Sequence, residues 1–176
     1  MTTDPSSGNN GAPIVVVMGV SGSGKTTIGQ LLATRMERDF VDSDQLHTPE
    51  SVAKMREGIP LTDDDREPWL EAIEGVINRH RDTGRGLVLA ASALKGIYRE
   101  RLAGPGTVFM FLHGTPALLR ERLAARKGHF FDPHLLDSQL ATLEEPHGDD
   151  IYRAEIDQTP MHIVDGFLTW LAHRPA

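Results

Sequence analysis

The stretch Val15–Leu32, VVVMGVSGSGKTTIGQLL, decides the fold. Four apolar residues, Val15 to Met18, run into a turn holding Gly19, Gly22 and Gly24, and Lys25, Thr26 and Thr27 follow. With Ile14 in front, the apolar run predicts a short buried strand. Ile28, Leu31, Leu32 and Met36 form an apolar stripe that predicts a helix over 25–37. Between strand and helix, Gly19-Val20-Ser21-Gly22-Ser23-Gly24-Lys25-Thr26 fits the pattern G-x-x-x-x-G-K-[ST]. Glycines let backbone N–H groups curl around phosphate oxygens, and the helix that follows points its positive end at the anion. The reading assigns residues 19–27 to nucleotide phosphates, with Lys25 reaching the β- and γ-phosphates and the Thr26 hydroxyl serving Mg²⁺. The rival dinucleotide pattern does not fit, because Thr27 stands where its third glycine belongs.

Working outward, strands alternate with helices. Phe40 and Val41 lead a second strand that ends in Asp42-Ser43-Asp44. Helices are expected at 49–57 and 67–82, the latter opened by Pro68. Leu87 to Ala91 is a third strand, 93–102 a helix, Gly104-Pro105-Gly106 a turn, and Val108 to Leu112 a fourth strand. Helices follow at 116–126 and about 135–144. Of two weaker strand candidates, 151–156 is preferred to 162–164, and a helix over 165–173 closes the chain. This alternation predicts an α/β fold of three layers, with a mostly parallel five-stranded sheet flanked by helices.

The chain of 176 residues suits one domain, expected over 14–176. Residues 1–13, MTTDPSSGNNGAP, read as a disordered leader, since they lack the basic start and apolar stretch of a signal peptide. No run approaches the roughly 18 apolar residues of a membrane span. There is no cysteine, which excludes disulfides, thiolate zinc sites and cysteine nucleophiles and fits a cytoplasmic setting. The net charge of −7 disfavours nucleic acid as a partner. An acidic chain that handles anions must gather its cations locally.

A phosphate loop alone names no reaction. The chain lacks the N-K-x-D guanine reader of switch GTPases, and the strand Leu87–Ala91 ends without the aspartate of a Walker B strand. Both absences favour a kinase acting on a small molecule. Asp42 and Asp44 stand two apart at a strand end. If the chain stays extended, both carboxylates face one side, where one can serve the Mg²⁺ water shell and the other an acceptor hydroxyl. A plain Asx turn closing the strand is the alternative. His47, Arg66 and Trp69 admit ordinary structural readings as well, Trp69 most readily as a packing anchor.

Taken together, MGVSGSGKTT, F-x-D-x-D-x-L-H, KM-x-x-G-x-PL-x-DDDR-x-PWL, SALK-x-x-YR, RL-x-x-R-x-x-HFF and L-x-SQ-x-x-TLEEP run in order from Met18 to Pro146. In this the sequence resembles the gluconate kinases, small P-loop kinases akin to the shikimate kinases. The resemblance implies Mg²⁺-assisted phosphoryl transfer from ATP to the primary hydroxyl of gluconate, and a homodimer. It implies Asp44 as general base and Asp42 in the Mg²⁺ shell, with the two roles open to exchange. Arg66, Lys95 and Arg99, with His47, are then the groups for the substrate carboxylate and hydroxyls. Another small acid, such as shikimate or a different sugar acid, is the alternative acceptor, and a non-catalytic nucleotide sensor a more distant one. Three positions depart from the family pattern: Ser43 replaces the usual glycine of D-G-D, Thr48 a proline and Ala91 a cysteine.

Arg122 and Arg126 are i, i+4 neighbours, with Gly-His-Phe-Phe just beyond them. The segment at about 122–140 is expected to form a helical lid whose Arg126 or Arg122 stabilises the transferring phosphoryl, as an arginine finger does. His129 in that loop is a further candidate for substrate contact. Arg153 to Pro160, RAEIDQTP, resembles the adenine-wrapping loop of P-loop kinases.

Overall fold

A computed structural model describes residues 11–126 and 133–175. Its strands are β1 (Ile14–Met18), β2 (Asp39–Asp42), β3 (Leu87–Ala90), β4 (Thr107–His113) and β5 (Ile151–Glu155). Its helices are α1 (Lys25–Met36), α2 (Pro49–Arg56), α3 (Asp63–Asp82), α4 (Gly96–Leu102), α5 (Pro116–Ala124), α6 (Pro133–Thr142) and α7 (Pro160–Ala172), with a 3₁₀ turn at Ser43–Leu46. The sheet is parallel throughout, in the order β2-β3-β1-β4-β5. In register, Val17 of β1 lies between Ala90 of β3 and Met110 of β4.

All five residues of β1 are buried, which explains its continuous apolar run: helices cover both faces of the sheet. Val15 and Val17 point to the side where Leu32, Leu123, Val164 and Phe167 pack. Ile14, Val16 and Met18 point to the other side, against Trp69, Ile73, Ile77, Tyr98 and Leu102. The result is the three-layer α/β arrangement, and it places the carboxyl ends of the strands, where such sheets hold ligands, at one edge.

Several boundaries correct the sequence expectations. α3 begins at Asp63, not at 67. Thr62 caps it: its hydroxyl accepts from Asp65 N–H at 3.1 Å, while the Asp65 carboxylate accepts from Thr62 N–H at 2.9 Å. This reciprocal pair satisfies two otherwise orphaned donors and overrides Pro68, which lies inside the helix. Of the two weaker strand candidates, the preferred one forms as β5, while 162–164 belongs to α7, which starts at Pro160 behind the Thr159 cap, earlier than the helix expected from 165. The chain at 93–95 is loop, with Ala93 at φ 45°, and α4 starts only at Gly96. Residues 1–10 of the expected leader, and 127–132 of the expected lid, lie outside the described residues.

The Thr62 cap has a measurable consequence. Thr62→Ala is expected to cost about 1 kcal/mol, a fall of about 2–4 °C in the unfolding midpoint. Lys54, at 2.7 Å, is the main reason the Asp65 carboxyl is held down at about 2, with Thr62 N–H adding to it. A carboxyl depressed in the fold contributes stability that is complete above its unfolded pKa and is lost as pH falls through about 2. Asp65→Asn should therefore differ most from the parent near neutrality and converge with it at the acid extreme. Thermal melts across pH check this, and a constant difference would refute the assignment.

Candidate active site

The phosphate loop joins β1 to α1 at the carboxyl edge. Gly22 has φ 83°, and a Cβ there would stand 2.7 Å from Leu123 Cγ of α5. A Cβ on Gly19, at φ 151°, would meet the Leu112 carbonyl at 2.9 Å. Only glycine suits either position. Ser23 is buried and its hydroxyl donates to the Val20 carbonyl at 2.7 Å, which ties the loop to itself. α1 has Gly24 at its start and no side-chain cap, whereas threonines cap α2, α3, α5 and α7. Its first N–H groups are thus left for an anion.

Lys25 Nζ donates to the Val20 carbonyl at 3.1 Å. Burial lowers its pKa, and the nearby Arg126 charge adds to that, while Asp44 and Asp42 pull the other way. Arg126 itself is exposed just past the end of α5.

The aspartate pair is not held as an extended chain would hold it. β2 ends at Asp42, and the chain turns at once into the 3₁₀ turn. Asp42 caps that turn, its Oδ1 accepting from Asp44 N–H at 3.0 Å. Its Oδ2 accepts from the Thr26 hydroxyl at 2.8 Å. β2 borders β3 rather than β1, so α1 supplies the link to the phosphate loop. Ser43 is buried and has no positive φ, so the turn accepts a side chain where glycine is usual.

Asp44 instead faces a cavity of about 300 Å³. Lys25 and Ser21 line its phosphate-loop end. His47, Arg66 and Ser92 add polar groups, and Met55, Pro60, Trp69 and Leu94 are among the apolar ones. The His47 ring stacks on Trp69 at 4.8 Å and an interplanar angle of 6°. Trp69 is buried and donates from its indole to the Ser43 carbonyl at 2.8 Å, so the packing anchor also fixes the 3₁₀ turn. His47 Nδ1 is buried with no hydrogen-bond partner among the described residues. Burial chiefly lowers the His47 pKa, Asp44 opposes this and Arg66 reinforces it.

Arg66 donates to the Tyr98 hydroxyl at 3.2 Å and lies 5.6 Å from that ring's centre. Tyr98 in turn donates to Asp63, which also pairs with Lys95 at 2.7 Å. Lys95 and Arg99 do not line the cavity. Lys95 Nζ lies 5.7 Å from the centre of the Tyr98 ring, whereas Arg99 donates to the carbonyls of Ala93 and Leu94, at 2.9 and 3.0 Å, and so braces the loop that forms one wall. Arg122 lies on the far side of the phosphate loop. It donates to the Ile156 carbonyl and borders a second cavity of about 140 Å³ with Ser23, Gly24, Thr27 and Pro160. His129 falls outside the described residues. Gln139 of α6 also lines the cavity, and its only signal in the sequence is its place in the L-x-SQ-x-x-TLEEP segment.

A phosphate loop on the central strand, open on one side to a polar acceptor cavity and on the other to a smaller cleft, defines a P-loop kinase with a small-molecule acceptor. The family model described as shikimate kinase matches residues 21–159. A gluconokinase of Gluconobacter oxydans is 49% identical over 138 residues, 77% of either chain. The thermoresistant gluconokinase of Escherichia coli is 40% identical over 154 residues, 85% of this chain and 88% of its own. The crystal structure of a gluconokinase from Sinorhizobium meliloti superposes with a TM-score of 0.83 at 44% identity, covering 92% of this chain and 93% of that one. The chain belongs to the gluconokinase family, and it is an enzyme of the kinase class.

Proposed function

We infer that the protein transfers the γ-phosphoryl group of ATP to the primary hydroxyl of gluconate, giving 6-phosphogluconate and ADP. The observation that carries this is the cavity in which Lys25, Asp44, His47 and Arg66 converge at the phosphate loop. Gluconate offers one carboxylate and a row of hydroxyls, and Arg66 supplies a planar donor fork for the former. Lys95 adds positive charge nearby, and Arg99 acts by holding the wall. His47, neutral near pH 7, can accept or donate to a hydroxyl.

The phosphate-loop N–H groups and Lys25 hold the phosphates. Thr26 and Asp42 suit a hard cation, being a hydroxyl and a carboxylate 2.8 Å apart. They would hold Mg²⁺, which when bound neutralises charge on the β- and γ-oxygens. Asp44 orients the acceptor hydroxyl and takes its proton late in transfer. Because the transition state is loose, positioning and electrostatics supply most of the acceleration. Arg126, just past the end of α5, approaches the phosphoryl, and Arg122, which borders the second cavity with Pro160, suits the base end of the nucleotide. Residues 14–176 act as one catalytic unit. No helix among the described residues is long and apolar enough to cross a membrane, in keeping with a cytoplasmic role. A homodimer belongs to the same reading, and light scattering tests it.

The decisive experiment is ADP release from Mg·ATP with gluconate, other sugar acids, shikimate and no acceptor. Release that depends strongly on gluconate is expected. Preference for another acid would change the substrate and keep the mechanism. ATP binding with no acceptor-dependent release would sink the enzyme reading in favour of a nucleotide sensor.

A further inference from the structure

Gln139 makes two hydrogen bonds to a single residue of the phosphate loop. Its Oε1 accepts from Ser21 N–H at 2.7 Å, and its Nε2 donates to Ser21 Oγ at 3.0 Å. A backbone N–H can only donate, so the amide oxygen must face it, and the NH₂ group must face the hydroxyl. With one lone pair of Oγ filled by that donor, the Ser21 proton is kept from pointing toward Gln139 and is left to other acceptors. Ser21 lines the acceptor cavity, while Ser23, Gly24 and Thr27 line the opposite cleft. Ser21 is thus the phosphate-loop residue that, with Lys25, faces the acceptor cavity.

α6 is well placed to hold this pair still. Leu136, one turn earlier, is fully buried in the core with Val20 and Leu123. Leu135, Ser138 and Gln139 line the cavity. Just beyond α6, Glu144 N–H donates to the Leu94 carbonyl and the Glu144 carboxylate accepts from Gly96 N–H, both at 2.8 Å. One helix thus joins the cavity wall at Leu94 to the phosphate loop at Ser21.

We propose that Gln139 is a positioning residue for phosphoryl transfer, acting through Ser21: it fixes the Ser21 hydroxyl as a donor toward the γ-phosphoryl group as that group crosses into the acceptor cavity. The proposal rests on the kinase reading above. A donor aimed at charge that spreads onto the phosphoryl oxygens contributes most in the transition state.

The test compares the parent with Gln139→Ala, the shape-keeping Gln139→Met, Ser21→Ala and the Ser21→Ala/Gln139→Ala double variant. Turnover is read with gluconate, and binding with ADP and the non-hydrolysable AMPPNP. Each single variant is expected to lower kcat about 10- to 100-fold, as for a hydrogen bond to a charged group. ADP affinity should stay within about twofold, the preference for AMPPNP over ADP should drop by roughly 10-fold, and the double variant should be no worse than the single ones. Wild-type kcat and preference in both Gln139 variants would overturn the proposal. So would parallel weakening of ADP and AMPPNP, the mark of a merely loosened loop, or multiplicative losses in the double variant. If the parent shows no turnover with gluconate, the acceptor reading fails, and the AMPPNP preference still decides the role of Gln139.

Discussion

Lys25→Ala is expected to lower kcat by about 10³-fold or more while leaving the fold intact. Lys25 is the one cation built into the phosphate loop itself, held 3.1 Å from the Val20 carbonyl. Its charge is stripped of water by burial, which lowers its pKa, while the carboxylates of Asp44 and Asp42 oppose that shift. A preorganised charge in a site of low polarity stabilises developing phosphoryl charge far more than the same charge does in water. Lys25→Arg should fail nearly as badly, because a guanidinium fork cannot replace a point charge reached through a straight stem. Steady-state rates at saturating Mg·ATP and acceptor, beside a thermal melt, measure both effects. A loss of kcat below tenfold with an unchanged melt would remove Lys25 from the mechanism.

Asp44→Asn carries the second large effect. Both Asp42 oxygens are engaged, one by Thr26 and the other by Asp44 N–H. The Asp44 side chain is exposed to the acceptor cavity beside Lys25 and Arg66. The two carboxylates thus differ in their partners, and the proposed roles, still open to exchange, follow that difference. Asp44→Asn should reduce kcat by about 10²- to 10⁴-fold, the range for a positioned proton acceptor, with ATP affinity within about threefold. Asp42→Asn should instead raise the Mg²⁺ concentration needed for half-maximal rate. The two variants titrated against Mg²⁺ tell the roles apart, and exchanged phenotypes would exchange the assignments.

The phosphate loop was legible because its chemistry is local. Glycines, lysine and threonine act within eight consecutive residues, and strand and helix flank them by simple periodicity. The acceptor side was legible in its residue types but not in its geometry. The extended reading puts Asp42 and Asp44 on one side, but the Asx turn that is its alternative is what forms, with the Asp42 carboxylate accepting from Asp44 N–H. Arg99 looked like a substrate cation, but it lies off the cavity lining, and its Nη1 donates to two loop carbonyls that no pattern could point to. α3 started early because a reciprocal Thr62–Asp65 cap outweighed the proline that seemed to open it. Gln139 stayed hidden for a further reason: its partner lies 118 residues away, and a lone glutamine in a helix carries no periodic signal.

The uncapped start of α1 bears on how this protein withstands heat. Four other helices close their leading amides with a threonine of their own, whereas α1 leaves that duty to whatever anion occupies the loop. A ligand that completes a helix is also a partner in folding. At nucleotide concentrations about 100-fold above the dissociation constant, mass action alone adds about 2.7 kcal/mol to the folded state. The molecule in a cell replete with ATP is in that sense a sturdier one than the same chain in plain buffer, and its robustness follows the energy supply of its surroundings.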